Sequence, residues 1–402
     1  MSGAEPSRGS LRGISRRRLI AGAASLYGAA LTAPLPAKGQ QQTMANSPSY
    51  FAYVGCRTTR ERNARGDGIT VYRIDANGAW ERTQLVDKLL NPSYLAFDRT
   101  KRVLYTVHGD SSELSAFRID AKTGGLTLLN QQSTQGLNPV HVTVDPTNRF
   151  AVVANHVTGK DFVSNLAVLP VNPDGSLGAV TDLLPLTGKL GPHRVEQPFP
   201  KPHQVQYDPA NRFIVVPDKG CDLVRVFRLD GGKLVAAGTV AAREGSGPRH
   251  VGFHPTLPYA YVVNELDSTI AAYHFDPASG ALKPFQIVSS LPDSFTANSR
   301  ASEIEVSQDG RFVYATNRGD DSIAGFAIDQ ATGRLSATGW EPSLGKTPRF
   351  FTQGPGGRSL FVANEESDSI VTFAVDGGHL RKTGAEIKTG SPTCIILSDP
   401  IA

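Results

Sequence analysis

A seven-fold repeat constrains this chain more than any other feature. Seven segments align on one position, usually proline, at Pro92, Pro139, Pro202, Pro248, Ala301, Pro348 and Pro392, with successive spacings of 47, 63, 46, 53, 47 and 44 residues. Each of the first six anchors opens a short strand. A turn and an alternating apolar run follow, such as Tyr259-Ala-Tyr-Val-Val, then a third strand such as Ser322-Ile-Ala-Gly-Phe-Ala-Ile, a Gly-containing turn and a weaker fourth strand. Four short antiparallel strands per repeat make a propeller blade. The seventh anchor has one strand after it, whereas the segment from Tyr50 to Val86 reads as second, third and fourth strands with no first. The fold expected is all-β, a seven-bladed β-propeller closed by the C-terminal strand pairing into the N-terminal blade. An open array would leave two edges unprotected and would not explain the matched deficits.

The propeller is placed at residues 48–402, after a linker at 38–47. Residues 1–37 carry Ser15-Arg16-Arg17-Arg18-Leu19-Ile20 before a Gly/Ala-rich apolar stretch, which reads as a twin-arginine-type export signal. That stretch is too short to span a bilayer comfortably, so no stable membrane anchor is expected, and the protein is expected in the periplasm or secreted. The leader's five arginines and one glutamate account for the whole net charge of +4. The rest is neutral, which argues against a nucleic-acid partner. A monomer acting on a small molecule is expected. Three cysteines are too few for a disulfide scaffold and lack metal-site spacing. Cys56 and Cys394 fall at the same end of the closed blade, where they could form one disulfide.

The start of a first strand and the end of a second lie at one end of the channel, so two columns of residues meet there. Directly after the anchors come Val140/His141, His203/Gln204, Arg249/His250, Ser302/Glu303 and Arg349/Phe350. Sixteen residues after the anchors come His108, Asn155, Asp218, Asn264, Asn317 and Asn364, followed by His156, Lys219, Glu265, Arg318 and Glu365 in their blades. Repeated asparagine at a strand end can also simply cap a turn. His, Arg and Glu that differ from blade to blade around one polar cavity have the form of an active or binding site. No Gly-rich phosphate loop and no Gly-x-Ser-x-Gly elbow is present. The chemistry that fits is attack of water on a carboxylic ester. A carboxylate or imidazole would take the proton and arginines would hold the oxyanion, with no metal and no cofactor. Arg249 is expected to be solvated, without a partner that folding needs.

The chain resembles the propeller-type lactonase family, with members like 6-phosphogluconolactonase and the 3-carboxy-cis,cis-muconate lactonizing enzyme. The resemblance runs from Pro48 to Ser398. It is carried by Arg194-x-x-Gln197-x-x-Pro200-x-x-His203, Val216-x-Asp218-x-Gly220-x-Asp222, Gly247-Pro248-Arg249-His250, Asn264-Glu265-Leu266 and Asp309-Gly310-Arg311-x-x-Tyr314-x-x-Asn317-Arg318. It implies lactone ring opening with His203, Arg249, Glu265 and Arg318 as catalytic residues. His141, Asp218, His250, Asn264, Glu303, Asn317 and Arg349 are expected to contact the substrate. Glu265 is the first choice of general base and His203 the second. The alternatives are a muconate-type isomerase and a non-catalytic periplasmic binding propeller. Lys201 stands where many members have the first histidine of Pro-His-x-His. This departure bears on the preferred substrate, and the export signal is a second departure; the expectation is a lactone outside the pentose phosphate pathway or an unphosphorylated sugar lactone.

Overall fold

The computed structural model describes residues 49–157 and 163–401. The expected signal and linker lie outside them. Seven four-stranded antiparallel sheets form the ring. In blade 1 the C-terminal strand Pro392–Leu397 pairs with Tyr50–Cys56, which pairs in turn with Gly68–Ile74 and then Trp80–Asp87. The ring therefore closes as the repeat count requires. The first strands of blades 2 to 7 are Pro92–Phe97, Leu137–Val144, Gln206–Tyr207, Pro248–Phe253, Arg300–Val306 and Pro348–Gln353. Among the described residues no helix is long and apolar enough to cross a membrane.

The core lies between blades. Tyr261, Val263 and Ile270 of blade 5, for example, pack with Ile304, Val313 and Phe326 of blade 6. Second and third strands are covered on both faces, which explains their near-continuous apolar runs. Fourth strands face solvent on one side and alternate. In blades 2 to 7 the turn before the fourth strand leans on the preceding blade. Gly333 has φ +72° there, and a Cβ on it would lie 2.5 Å from Tyr259. The hydroxyl of Tyr261 donates to the Gly333 carbonyl at 2.9 Å. Gly124 against Phe51 and Gly280 against Phe213 repeat the arrangement. Gly333→Ala forces both a left-handed residue and a clash. It should cost about 1–3 kcal/mol, read as a lower denaturant midpoint at unchanged slope.

Directly after every anchor the first strand carries one residue more than its partner. Pro248 pairs with Asn264 and His250 with Val263, leaving Arg249 as the extra residue. The same shift occurs after Pro92, Pro139, Pro348 and Pro392, and around Ser302 in blade 6. In blade 4 the bridge of Pro202 to Asp218 and the pairing of Gln206 with Val215 give the same one-residue excess. Such bulges re-aim side chains. Here two successive residues per blade, rather than alternate ones, serve the channel.

Candidate active site at the channel rim

The cluster at the rim is organised around Glu265, at the end of the second strand of blade 5. Its carboxylate lies 2.9 Å from Lys219 Nζ, 3.2 Å from Arg249 Nε, 3.2 Å from a terminal nitrogen of Arg318 and 3.7 Å from Arg300. Burial alone would raise this carboxyl, but Lys219, Arg318 and Arg249 outweigh it and hold it well below the usual carboxylate range. Three of the four residues expected to be catalytic thus meet directly. The fourth, His203, is joined to Arg249 through its neighbour His250.

Arg249 differs from its expectation. It is 3% exposed, and its guanidinium donates to the Ser302 carbonyl at 2.6 Å as well as facing Glu265. The bulge turns it inward, so it is buried and partnered rather than solvated. Burial, then Arg318 and Arg349, bring its pKa down to about 9. The Nε atoms of Arg249 and Arg318 are buried and make no hydrogen bond; that of Arg249 is near Glu265 but off the hydrogen-bond line. Arg349 sits 3.6 Å from Glu365 on the same rim.

His203 begins blade 4 in an irregular stretch. Pro202 has no N–H to give the ladder. Regular pairing starts only at Gln206, while the His203 backbone N–H reaches the Pro217 carbonyl at 3.0 Å. Its Nδ1 lies 3.1 Å from His250 Nε2, and His250 Nδ1 lies 2.7 Å from Glu303 Oε1. His141 stacks on Tyr94, with ring centroids 3.9 Å apart, and lies edge-on to His250 at 5.8 Å. Tyr94, His141, His250, Glu303 and Phe350 form a layer that plugs the channel just beneath the rim. His141, His250 and Glu303 therefore lie behind the Arg249–Glu265 cluster. Burial and then neighbouring cations, Arg249 first for His203 and for His250, hold these two imidazoles well below the ordinary histidine value.

Asp218, Asn264 and Asn317, expected to contact substrate, are buried and hydrogen-bonded within the frame. Asp218 accepts from Arg225 at 2.8 and 3.0 Å and from the Lys201 and Gly220 backbones at 2.7 and 3.1 Å. Asn317 donates to the Ser290 carbonyl and accepts from the Ser290 hydroxyl, at 2.7 and 2.6 Å. Asn264 donates to Thr269 at 2.9 Å. This column ties the end of a second strand to its surroundings, as Asn155 does with Thr134 and Asn165.

Four rim residues lie beyond the expected set. Arg57, 5% exposed, follows Cys56, the pairing partner of Pro392. Carrying the repeat register across the ring closure would have placed it. Lys201 is buried beside them. Glu196 and Arg300 are joined at 2.7 Å; Glu196 lies in the long connection before blade 4 and also meets Lys219 at 3.1 Å, while Arg300 opens the first strand of blade 6, one residue before its anchor, and pairs with Arg318. The disulfide that Cys56 and Cys394 could have formed is absent. Cys394 pairs with Gly55, one residue out of step with Cys56, so the pleat sends the two thiols to opposite faces. Cys56 Sγ faces the Gly68 carbonyl and Cys394 Sγ faces Leu95. Among the described residues no three His, Cys, Asp or Glu side chains are grouped to hold a metal. A cavity of about 470 Å³ opens at the other mouth, lined by Gln204, Gln206, Tyr207, Glu303 and Glu305 among others.

Residues 51–397 match the family model described as lactonase, 7-bladed β-propeller. The chain is 36% identical to the 6-phosphogluconolactonase of Bacillus subtilis strain 168, over 86% of this chain and 97% of that protein. It is 32% identical to the 6-phosphogluconolactonase of Formosa agariphila, over 80% and 93%. The periplasmic gluconolactonase of Pseudomonas aeruginosa superposes with a TM-score of 0.80 at 30% identity, covering 88% of this chain and 99% of that one. The chain belongs to the lactonase family of seven-bladed β-propellers.

Proposed function

We propose that this protein hydrolyses the lactone ring of an unphosphorylated sugar acid at the rim, with His203 as the base that activates water. The observation that carries this reading is the contrast between Glu265 and His203. Glu265 is ringed by Lys219, Arg249, Arg318 and Arg300, and its depressed pKa makes it a weak proton acceptor. Its part is to hold the cations in place. His203 is neutral, and no hydrogen bond within the described residues occupies its Nε2. The base is therefore assigned to the second of the two candidates. The buried Nε–H groups of Arg249 and Arg318 supply donors for the oxyanion that forms as water adds to the carbonyl carbon.

The twin-arginine leader and the likeness to a periplasmic gluconolactonase support action outside the cytoplasm. An unphosphorylated aldonolactone fits that location. The test is acid release by the purified protein from glucono-, galactono- and 6-phosphogluconolactone against a heat-inactivated control. Faster turnover of an unphosphorylated lactone is expected; acid release equal to the control on all three removes the reading. Arg249→Lys keeps a positive charge for Glu265 but loses the guanidinium donors. It should lower kcat roughly 10²–10³-fold, the scale for one oxyanion donor. Circular dichroism melting should separate this from a folding defect.

A further inference from the structure

We propose that His203, His250 and Glu303 form a proton relay through the plug, which lets His203 accept a proton from water without any imidazole becoming a cation. The inference deepens the hydrolase reading and rests on it. The three groups stand in one line, Glu303 Oε1 to His250 Nδ1 at 2.7 Å and His250 Nε2 to His203 Nδ1 at 3.1 Å, and all are at most 5% exposed.

The connectivity fixes the tautomers. With Glu303 ionised, His250 donates from Nδ1 to the carboxylate and its Nε2 must accept. His203 then donates from Nδ1, and its Nε2 presents a bare lone pair to the rim. With Glu303 protonated every donor reverses, and His203 Nε2 carries a hydrogen. The same chain therefore sets His203 as base or acid according to one carboxyl.

The electrostatics explain why a relay is needed. An imidazolium at His203 would be buried beside Arg249, His250, His156 and Arg349, each of which depresses its pKa further. In the relay the water oxygen's lone pair forms the bond to the carbonyl carbon, and the carbonyl π pair moves onto its oxygen. The water proton passes to His203 Nε2, the His203 Nδ1 proton to His250 Nε2, and the His250 Nδ1 proton to Glu303. Each ring gains and loses one proton and stays neutral. When the ring C–O bond breaks with its electron pair on oxygen, that oxygen takes the Nε2 proton and the relay runs back. The hydroxy acid then ionises into solvent.

Glu303 also lines the cavity of about 470 Å³ at the far mouth, but its carboxylate is buried, Oε1 meeting His250 and the Ile304 N–H and Oε2 making no hydrogen bond among the described residues. Arg249 and His250 on blade 5, His203 on blade 4, Arg349 on blade 7, Tyr94 on blade 2, Cys394 on blade 1, His141 on blade 3 and Glu305 on its own strand face this group or the ring it bonds. Burial raises Glu303 to about 7, against the pull of Arg249, the Ile304 N–H and Arg349. The base form exists above that value, so activity should rise with pH through it and then level.

Two measurements test the relay. In ¹⁵N-histidine spectra of the unliganded protein, His203 and His250 should exchange tautomers together near pH 7 without forming imidazolium. Glu303→Gln should abolish that exchange, whereas Glu305→Gln, which removes the neighbouring raised carboxyl, should keep it. In pH–rate profiles Glu303→Gln should remove the limb near 7 and lower plateau kcat/KM by about 10²-fold. His250→Gln should do the same with Glu303 intact, and Glu303→Asp should restore a displaced limb. Rings that titrate to imidazolium, or a limb and tautomer exchange that survive Glu303→Gln, overturn the relay. The spectra are read without substrate, so they stand or fall separately from the lactone reading.

Discussion

Glu265→Gln is expected to destabilise the protein by about 3–5 kcal/mol, the scale for breaking a buried ion pair by removing one partner. The amide keeps the shape and loses the charge. Arg249 and Arg318, with side chains 3% and 14% exposed, would then repel one another with no anion between them, and Lys219, 5% exposed, would keep Glu196 alone. The surface pair Arg311–Asp309, at 2.7 Å but 64% and 49% exposed, gives the contrast; Asp309→Asn should cost about 1 kcal/mol or less. The pH dependence carries a matching signature. The folded-state pKa of Glu265 is depressed below its ordinary 4.5, so its stabilisation is complete above that value and is lost as pH falls through the depressed one. Urea midpoints at neutral and acidic pH should show the gap between wild type and Glu265→Gln narrowing as the medium is acidified. A variant as stable as wild type at neutral pH would mean that the cations are held by something other than this carboxylate.

His203→Gln should have the opposite profile, with a large loss of rate and little loss of stability. The glutamine side chain can still meet His250 across the 3.1 Å contact, but an amide has no basic nitrogen. Removing a general base is worth about 10²–10⁴ in rate, and kcat/KM should fall within that range while the melting transition stays near that of wild type. Activity within a few-fold of wild type would place the base elsewhere and return Glu265 to consideration.

The ring itself was legible because the anchor spacing and the missing strands at the two ends are properties of the sequence alone. Closure by Pro392–Leu397 follows from them. The rim was legible in part. Arg249, Glu265 and Arg318 could be grouped from the register of strand starts and ends, since antiparallel pairing brings those positions to one mouth. The bulge after each anchor was not legible, because strand alternation carries no mark of an extra residue. That bulge is why Arg249 is buried and why His250 faces the channel beside it. The Asn column was ambiguous for a different reason. A repeated amide looks alike whether it meets Ser290, as Asn317 does, or a ligand. Glu196 sits in the long connection before blade 4, where no register applies, and Arg300 lies one residue before its anchor, outside the two columns read from the sequence.

Lactone opening at the rim, rather than in the cavity at the opposite mouth, is checked by a crystal structure with the product aldonate. The aldonate carboxylate should lie against Arg249 and Arg318, within hydrogen-bond reach of His203 Nε2. An aldonate bound instead among Gln206, Tyr207 and Glu305 in the far cavity would contradict it.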